Sequence, residues 1–187
     1  SSVLRYERGA DRWTDALPLG NGRLGAMVYG HTAIDRILLN EDTLFYGKFI
    51  DRNNRAMRDK LPQIQKHVLE GNIQAAENLM TQYMIGAPST MRHYESLGEL
   101  DIAIGQHTPF VMGWLPNSDD AEDYRCELDM MTGVYTQQHR QNGVTYTRKM
   151  FVSYPEQVLV VHIAADQPGK LDLDAQVDRC RIFDEKV

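Results

Sequence analysis

Tyr124-Arg-Cys-Glu-Leu-Asp-Met-Met131, Val134-Tyr-Thr-Gln-Gln-His-Arg140, Val144-Thr-Tyr-Thr-Arg-Lys-Met-Phe-Val152 and Val158-Leu-Val-Val-His-Ile-Ala-Ala165 follow one another with short gaps. Thr132-Gly133, Asn142-Gly143 and Tyr154-Pro155 separate them. Asn-Gly between two such runs is a strong hairpin signal, because both residues tolerate positive φ. In the third run Val144, Tyr146, Arg148, Met150 and Val152 alternate with Thr145, Thr147, Lys149 and Phe151. A period of two is that of a strand with one face buried. The stretch therefore predicts an antiparallel meander forming one wall of a β-sandwich.

Working outward, residues 171–177 predict a further strand, and Leu100-Asp-Ile-Ala-Ile104 another. Residues 113–123, with Pro116 and four acids nearby, read as an exposed loop. Toward the N-terminus, Leu24-Gly-Ala-Met-Val-Tyr29 and Ile34-Asp-Arg-Ile-Leu-Leu39 read as strands joined at Gly30-His31-Thr32. Leu17-Pro-Leu-Gly-Asn-Gly-Arg23 reads as turn punctuation, with Asn21-Gly22 suited to positive φ. Residues 55–85 change character. Leu61, Ile64 and Val68 share one helical face, and Gly71 suits a left-handed helix end. Asn72 can cap a second helix whose buried face would be Ile73, Ala76, Leu79, Met80 and Tyr83. Gly86-Ala-Pro-Ser89 ends it. The fold class is thus mainly β, an antiparallel sandwich with an inserted αα-hairpin.

The 187 residues amount to one domain, long enough to bury a core without metal or disulfide staples. A formal net charge of −6 with no Lys/Arg run argues against nucleic acid as a partner. No apolar stretch approaches the roughly 20 residues that cross a bilayer, and no signal peptide is present. Ser1-Ser2 before an extended segment reads as the start of a processed or recombinant chain. Two cysteines, Cys126 and Cys180, exclude a thiolate metal cluster by count and leave a single disulfide or two thiols open.

Among chemistry-bearing residues, Glu41 and Asp42 are adjacent acids. A glycosidase pair must span roughly 6.5–9.5 Å across the scissile bond when it inverts, and neighbours on an extended segment point to opposite sides. Asn40, Glu41 and Asp42 therefore read as a strand end that hydrogen-bonds a turn, or as the rim of a cleft. Gly20-Asn-Gly22 lacks the Lys-Ser/Thr of a P-loop and reads as a tight turn, with Asn21 and Arg23 able to reach a sugar or a neighbouring domain. His31, His67, His93, His107, His139 and His162 include no i, i+4 zinc pair; His139 and His162 lie on strands that could bring them together across a sheet. Trp13, Phe45, Tyr46 and Trp114 are aromatics suited to core packing, interdomain contact or stacking on a sugar.

Leu17-Pro-Leu-Gly-Asn-Gly-Arg-Leu-Gly-Ala-Met27 and Leu39-Asn-Glu-Asp-Thr-Leu44 resemble the start of glycoside hydrolase family 95, the α-L-fucosidase family. The resemblance continues through Asp51-Arg-Asn-Asn54, the αα-hairpin, Tyr94-Glu-Ser-Leu-Gly-Glu-Leu100 and Tyr124-Arg-Cys-Glu-Leu-Asp129, and ends with Gly143-Val-Thr-Tyr-Thr-Arg148 and Tyr154-Pro-Glu-Gln-Val-Leu-Val-Val161. It implies an N-terminal, supersandwich-like β domain over residues 1–187, cut short at its C-terminal end. A helical linker, an (α/α)6 barrel and a C-terminal β domain would follow. It also implies inverting cleavage of terminal α-linked fucose, or in some members galactose, by barrel groups absent from this chain. No catalytic residue carries over, no metal or organic cofactor is implied, and the fragment alone is expected to be inactive. The implied partners are the barrel of the same polypeptide and, for the parent enzyme, fucosylated or galactosylated glycans; the implied location is extracytoplasmic.

Asn21, Arg23, Asn40, Glu41, Asp42, Phe45 and Tyr46 are the candidates for the sugar cleft or the interdomain surface. One departure stands out: where the family run is Leu-Trp-Ser-Gly, this chain has Leu44-Phe45-Tyr46-Gly47. Two other readings remain open at this level, an independent carbohydrate-binding module and a structural or assembly domain.

Overall fold

A computed structural model describes residues 2–90, 92–105 and 121–179. Most of the loop expected at 113–123 therefore lies outside the described residues, as do His107, Trp114 and Cys180. Two compact units are present, one spanning Ser1–Leu44 and Ser96–Val187, the other Phe45–Glu95.

The first unit is a β-sandwich of two antiparallel five-stranded sheets. One sheet runs β1 (Val3–Tyr6), β6 (Glu122–Asp129), β7 (Val134–Gln141), β8 (Val144–Ser153), β9 (Val158–Ala165). The other runs β10 (Leu173–Asp178), β5 (Gly98–Ile104), β4 (Ile34–Glu41), β3 (Leu24–Val28), β2 (Leu17–Gly20). The meander predicted from residues 124–165 is the β6–β9 wall, with each hairpin where its Gly or Pro signal stands. Three elements are not among those expected from sequence: β1, a single 3-10 turn at Trp13–Asp15, and β2. Leu17–Gly20 reads as a turn because of Pro18 and its glycines, yet it forms β2. Pro lacks an N–H, and β2 is an edge strand, where that loss is tolerated.

Alternation builds the core. Leu17 and Leu19 of β2, Ala26 and Val28 of β3, Ile37 of β4 and Ile102 of β5 meet Cys126, Leu128, Tyr135 and Met150 from the facing sheet. Leu159, Val161 and Ile163 of β9 pack against them part-buried. One register position decides an expectation about the histidines. His139 stands opposite Tyr146 and stacks on its ring at 5.4 Å inside the sandwich. His162 stands opposite exposed Lys149. It follows core-facing Val161 and so points to the other side of the sheet. The two histidines do not meet.

The second unit holds α1 (Met57–Leu69) and α2 (Ile73–Tyr83), with Gly71 at φ +77 between them. Two corrections apply here. Asn72 occupies the N-cap position of α2, but its amide donates to Glu70 at 3.4 Å and caps nothing. Of the five residues expected on the buried face of α2, only Ala76 is buried; Ile73 and Met80 are exposed. A pair of short helices has too little facing surface to bury a full stripe.

Candidate functional site

The β2–β3 turn is built by Asn21. Its side-chain oxygen accepts the N–H groups of Arg23 (3.0 Å) and Leu24 (2.8 Å), an Asx turn that lets Gly22 take φ +94. Its amide donates to the Ser153 carbonyl at 2.8 Å, tying the turn to the end of β8 in the facing sheet. Arg23 leaves this turn and donates through Nε to Glu41 Oε1 at 2.7 Å. Glu41 ends β4, and its other oxygen accepts the Thr43 backbone N–H (2.9 Å) and hydroxyl (2.7 Å). The Arg23 carbonyl in turn accepts the Asp42 N–H at 3.1 Å.

Four of the candidates, Asn21, Arg23, Glu41 and Asp42, thus share one cluster at the joined ends of β2, β3 and β4. Asn40 stands beside it, opposite Gly25 in the β3–β4 register. Hydrogen bonds from Thr43 and then Arg23 hold the Glu41 carboxyl down to about 2. A general acid must carry a proton near its working pH. Glu41 is an ionised acceptor with both oxygens engaged, the chemistry of a turn brace.

Phe45 and Tyr46 belong to the second unit. Tyr46 stacks on His93 with ring centroids 5.0 Å apart, and the Arg92 guanidinium lies 5.7 Å from the Tyr46 ring centre. Phe45 meets Tyr94 edge-on at 5.1 Å. The Tyr46 N–H donates to the His93 carbonyl at 3.0 Å, and Phe45 and Tyr94 form an antiparallel bridge. Gly47, at φ +86, leaves the space that Arg92 fills; a Cβ there would overlap the guanidinium. Phe45 and Tyr46 remain about half exposed, and Phe49 is 92% exposed. In the sequence His93 is one histidine of six and Tyr94 opens a motif, but neither they nor Arg92 are cleft candidates there. Nothing local marks them, since they join Phe45 and Tyr46 only through a pairing some 48 residues long in register.

A second polar group lies inside the sandwich. Asp35 and Arg148, both fully buried, pair at 3.0 Å. Asp35 also accepts the N–H groups of Gly30 (2.7 Å) and His31 (3.2 Å). Arg148 donates to the carbonyls of His31 (2.6 Å) and Thr32 (3.2 Å). Tyr124 and Gln137 donate to the Gly30 carbonyl at 2.7 and 3.2 Å. Burial pushes the Asp35 carboxyl up, and the Arg148 charge and two backbone N–H groups pull against it. The cluster clamps the β3–β4 turn to the facing sheet. It has no opening for substrate and reads as architecture. Among the described residues no group of three or more His, Cys, Asp or Glu side chains is placed to share a metal ion. No helix there is long and apolar enough to cross a membrane.

The α-L-fucosidase 2 of Arabidopsis thaliana is 31% identical over 176 residues, 94% of this chain and 20% of that protein. A probable α-fucosidase A of Aspergillus niger is 30% identical over 164 residues, 82% of this chain and 18% of that protein. One from Aspergillus oryzae is 27% identical over 157 residues, 80% and 20% of the respective chains. The chain therefore spans about a fifth of the length of these curated relatives. A family model described as glycosyl hydrolase family 65, N-terminal domain, matches residues 4–186, nearly the whole of the sandwich and its helical insert. On that match the chain belongs to the N-terminal domain family of the family 65 glycosyl hydrolases.

Proposed function

We propose that this chain is the non-catalytic N-terminal domain of an inverting α-L-fucosidase-like enzyme of glycoside hydrolase family 95. Its role is to pack on the catalytic barrel and to supply residues of the 40–46 stretch to the sugar cleft. The observation that carries the proposal is the pairing of an N-terminal-domain family with relatives named as α-fucosidases and about five times longer. The chemistry of Glu41 supports it from the other side. The most suggestive acid in the sequence is locked in an ionised turn brace, so the acid and base of the reaction belong elsewhere in the parent polypeptide. Asn21, Arg23, Asn40, Glu41 and Asp42 hold the turn in shape. Phe45 and Tyr46, stiffened by Tyr94 and His93, offer aromatic surface to a sugar or to the barrel. Their partners are that barrel and, through it, fucosylated or galactosylated glycans.

The test is hydrolysis of 4-nitrophenyl α-L-fucoside and 2′-fucosyllactose by this chain and by the same chain extended with the sequence that follows it in its gene. Turnover only by the extended chain is expected. Turnover by residues 1–187 alone, free of contaminating enzyme, would overturn the reading.

A further inference from the structure

The β6–β9 sheet carries a second polar feature at its β7–β8 turn end, remote in chemistry from the Glu41 turn. Near the β7–β8 turn a depression of about 510 Å³ is lined by Asp123, Arg125, Gln138, Arg140, Thr145 and Asp166 among others. The strand ladder puts them side by side. Arg125 stands directly opposite Gln138 on β7, and Arg140, two residues further along, stands opposite Thr145 on β8. On one sheet face such neighbours are about 5–8 Å apart. A β-bulge between Glu122 and Arg125, with Asp123 at φ +53, bends β6 at this place. Bulges of this kind re-aim side chains. Asp166 is fixed by exchange with Thr145, accepting its N–H on Oδ1 at 3.0 Å and donating its own N–H to the Thr145 carbonyl at 3.0 Å. Among the described residues the side chains of Arg125, Gln138 and Arg140 have no hydrogen-bond or ion-pair partner.

These groups define the ligand. Two arginines face two aspartates, so the lining has no net charge and offers no general attraction to phosphate or to nucleic acid. Its polar groups are mixed: the arginines only donate, the aspartates only accept, and Gln138 and Thr145 do both. An inorganic anion calls for donors alone, and an apolar ligand for neither. A neutral sugar presents hydroxyls that each donate and accept, which is what a mixed set can satisfy. The volume falls within the roughly 300–1,000 Å³ of small-molecule sites. We infer that this depression is a binding subsite for a neutral, hydroxyl-rich saccharide unit, held by Arg125, Gln138, Arg140 and Asp166. It is independent of the accessory-domain reading, because it uses no residue of the 40–46 stretch and no group from another domain. Tyr124 and His139 also line the depression, but the Tyr124 hydroxyl is spent on the Gly30 carbonyl and the His139 ring is buried on Tyr146, so neither serves as a stacking platform, and binding is weak and set by hydrogen bonds.

Two-dimensional amide NMR of the ¹⁵N-labelled chain, titrated with lactose, 2′-fucosyllactose and sodium sulfate, tests it. A saturable shift with either saccharide, centred on 123–125, 138–140, 145 and 166, is expected. It should weaken by about tenfold or more in Arg140→Ala, which loses a charged donor, and by roughly two- to tenfold in Gln138→Ala, which loses a neutral one. Arg140 is exposed and Gln138 half-buried, and unchanged spectra elsewhere certify the fold. No shift with either saccharide, shifts confined to other residues, or equal affinity in both variants would overturn the assignment. So would sulfate producing the same shifts as strongly as the sugars, which would mark a simple anion site.

Discussion

Arg148 shows how one side chain can carry structural weight. Its place on the inward row of β8, between Tyr146 and Met150, follows from alternation alone, and an arginine there demands a partner. The partner is Asp35, 113 residues away in sequence. Breaking a buried pair from one side leaves the other charge stranded, at a cost of about 3–5 kcal/mol, whereas replacing both members with apolar groups can be near neutral. Urea unfolding should therefore show a large loss for Asp35→Leu and for Arg148→Met, and for the two combined a loss well below their sum, the remainder reflecting the Gly30 and His31 N–H groups and the His31 and Thr32 carbonyls left unpaired. Additive losses in the double variant would refute the coupling. His139 lies close by, buried with neither ring nitrogen bonded, and burial, then the Arg148 charge, lowers its pKa to about 4. The sign follows from linkage. In the unfolded chain the imidazole protonates near its ordinary 6.5, in the folded chain only near 4. Stability is thus full above pH 6.5 and is lost as pH falls toward 4, by up to about 3 kcal/mol. Denaturant midpoints measured across that interval should fall in the parent and change less in His139→Phe.

At the scale of an element, the β3–β4 turn decides how the sheets are joined. Gly30 sits at φ +76, and a Cβ on it would come within 2.7 Å of the Tyr135 hydroxyl and 2.8 Å of that of Tyr124. Gly22, in the β2–β3 turn, has φ +94 but open space around it. Alanine at Gly22 should cost only the backbone conformation, about 1–2 kcal/mol, while alanine at Gly30 adds the clash and should cost roughly 3 kcal/mol or more. Thermal melts of the two variants rank them; equal losses would show that the tyrosines yield freely. The same elements show what a sequence can disclose. Gly30, Asn142 and Gly143 announce turns, and period-two alternation announces β6 to β9, because both signals are local. β2 is hidden by Pro18, whose meaning depends on the strand being at an edge. The helical stripe from Ile73 to Tyr83 is periodic but mostly uncovered, because periodicity reports which face would be buried and not whether anything covers it. The Arg23–Glu41 brace and the Asp35–Arg148 clamp involve residues visible in sequence, yet their pairing exists only after the sheets assemble. The aromatic contacts of Phe45 and Tyr46 were legible as residue types but not as a ribbon with His93 and Tyr94.

At the scale of the molecule, the helical unit interrupts the sandwich between two strands that already pair with each other. β4 and β5 are antiparallel neighbours in register from Ile34 with Ala103 to Leu39 with Gly98. The unit's own ends are fastened together by the Phe45–Tyr94 bridge and the Tyr46–His93 hydrogen bond. Replacing Phe45–Glu95 with a short glycine-serine link should leave β4 and β5 as an ordinary hairpin, and the shortened protein should keep the sandwich's far-UV signature and cooperative melt. Loss of all β structure in that variant would show that the sandwich depends on the insert. A segment whose two ends meet is topologically a bubble on a hairpin. Such a bubble can be enlarged, shrunk or exchanged over evolutionary time without re-solving the sandwich beneath it, so length differences among relatives should gather between β4 and β5, making this interval the place where the family experiments.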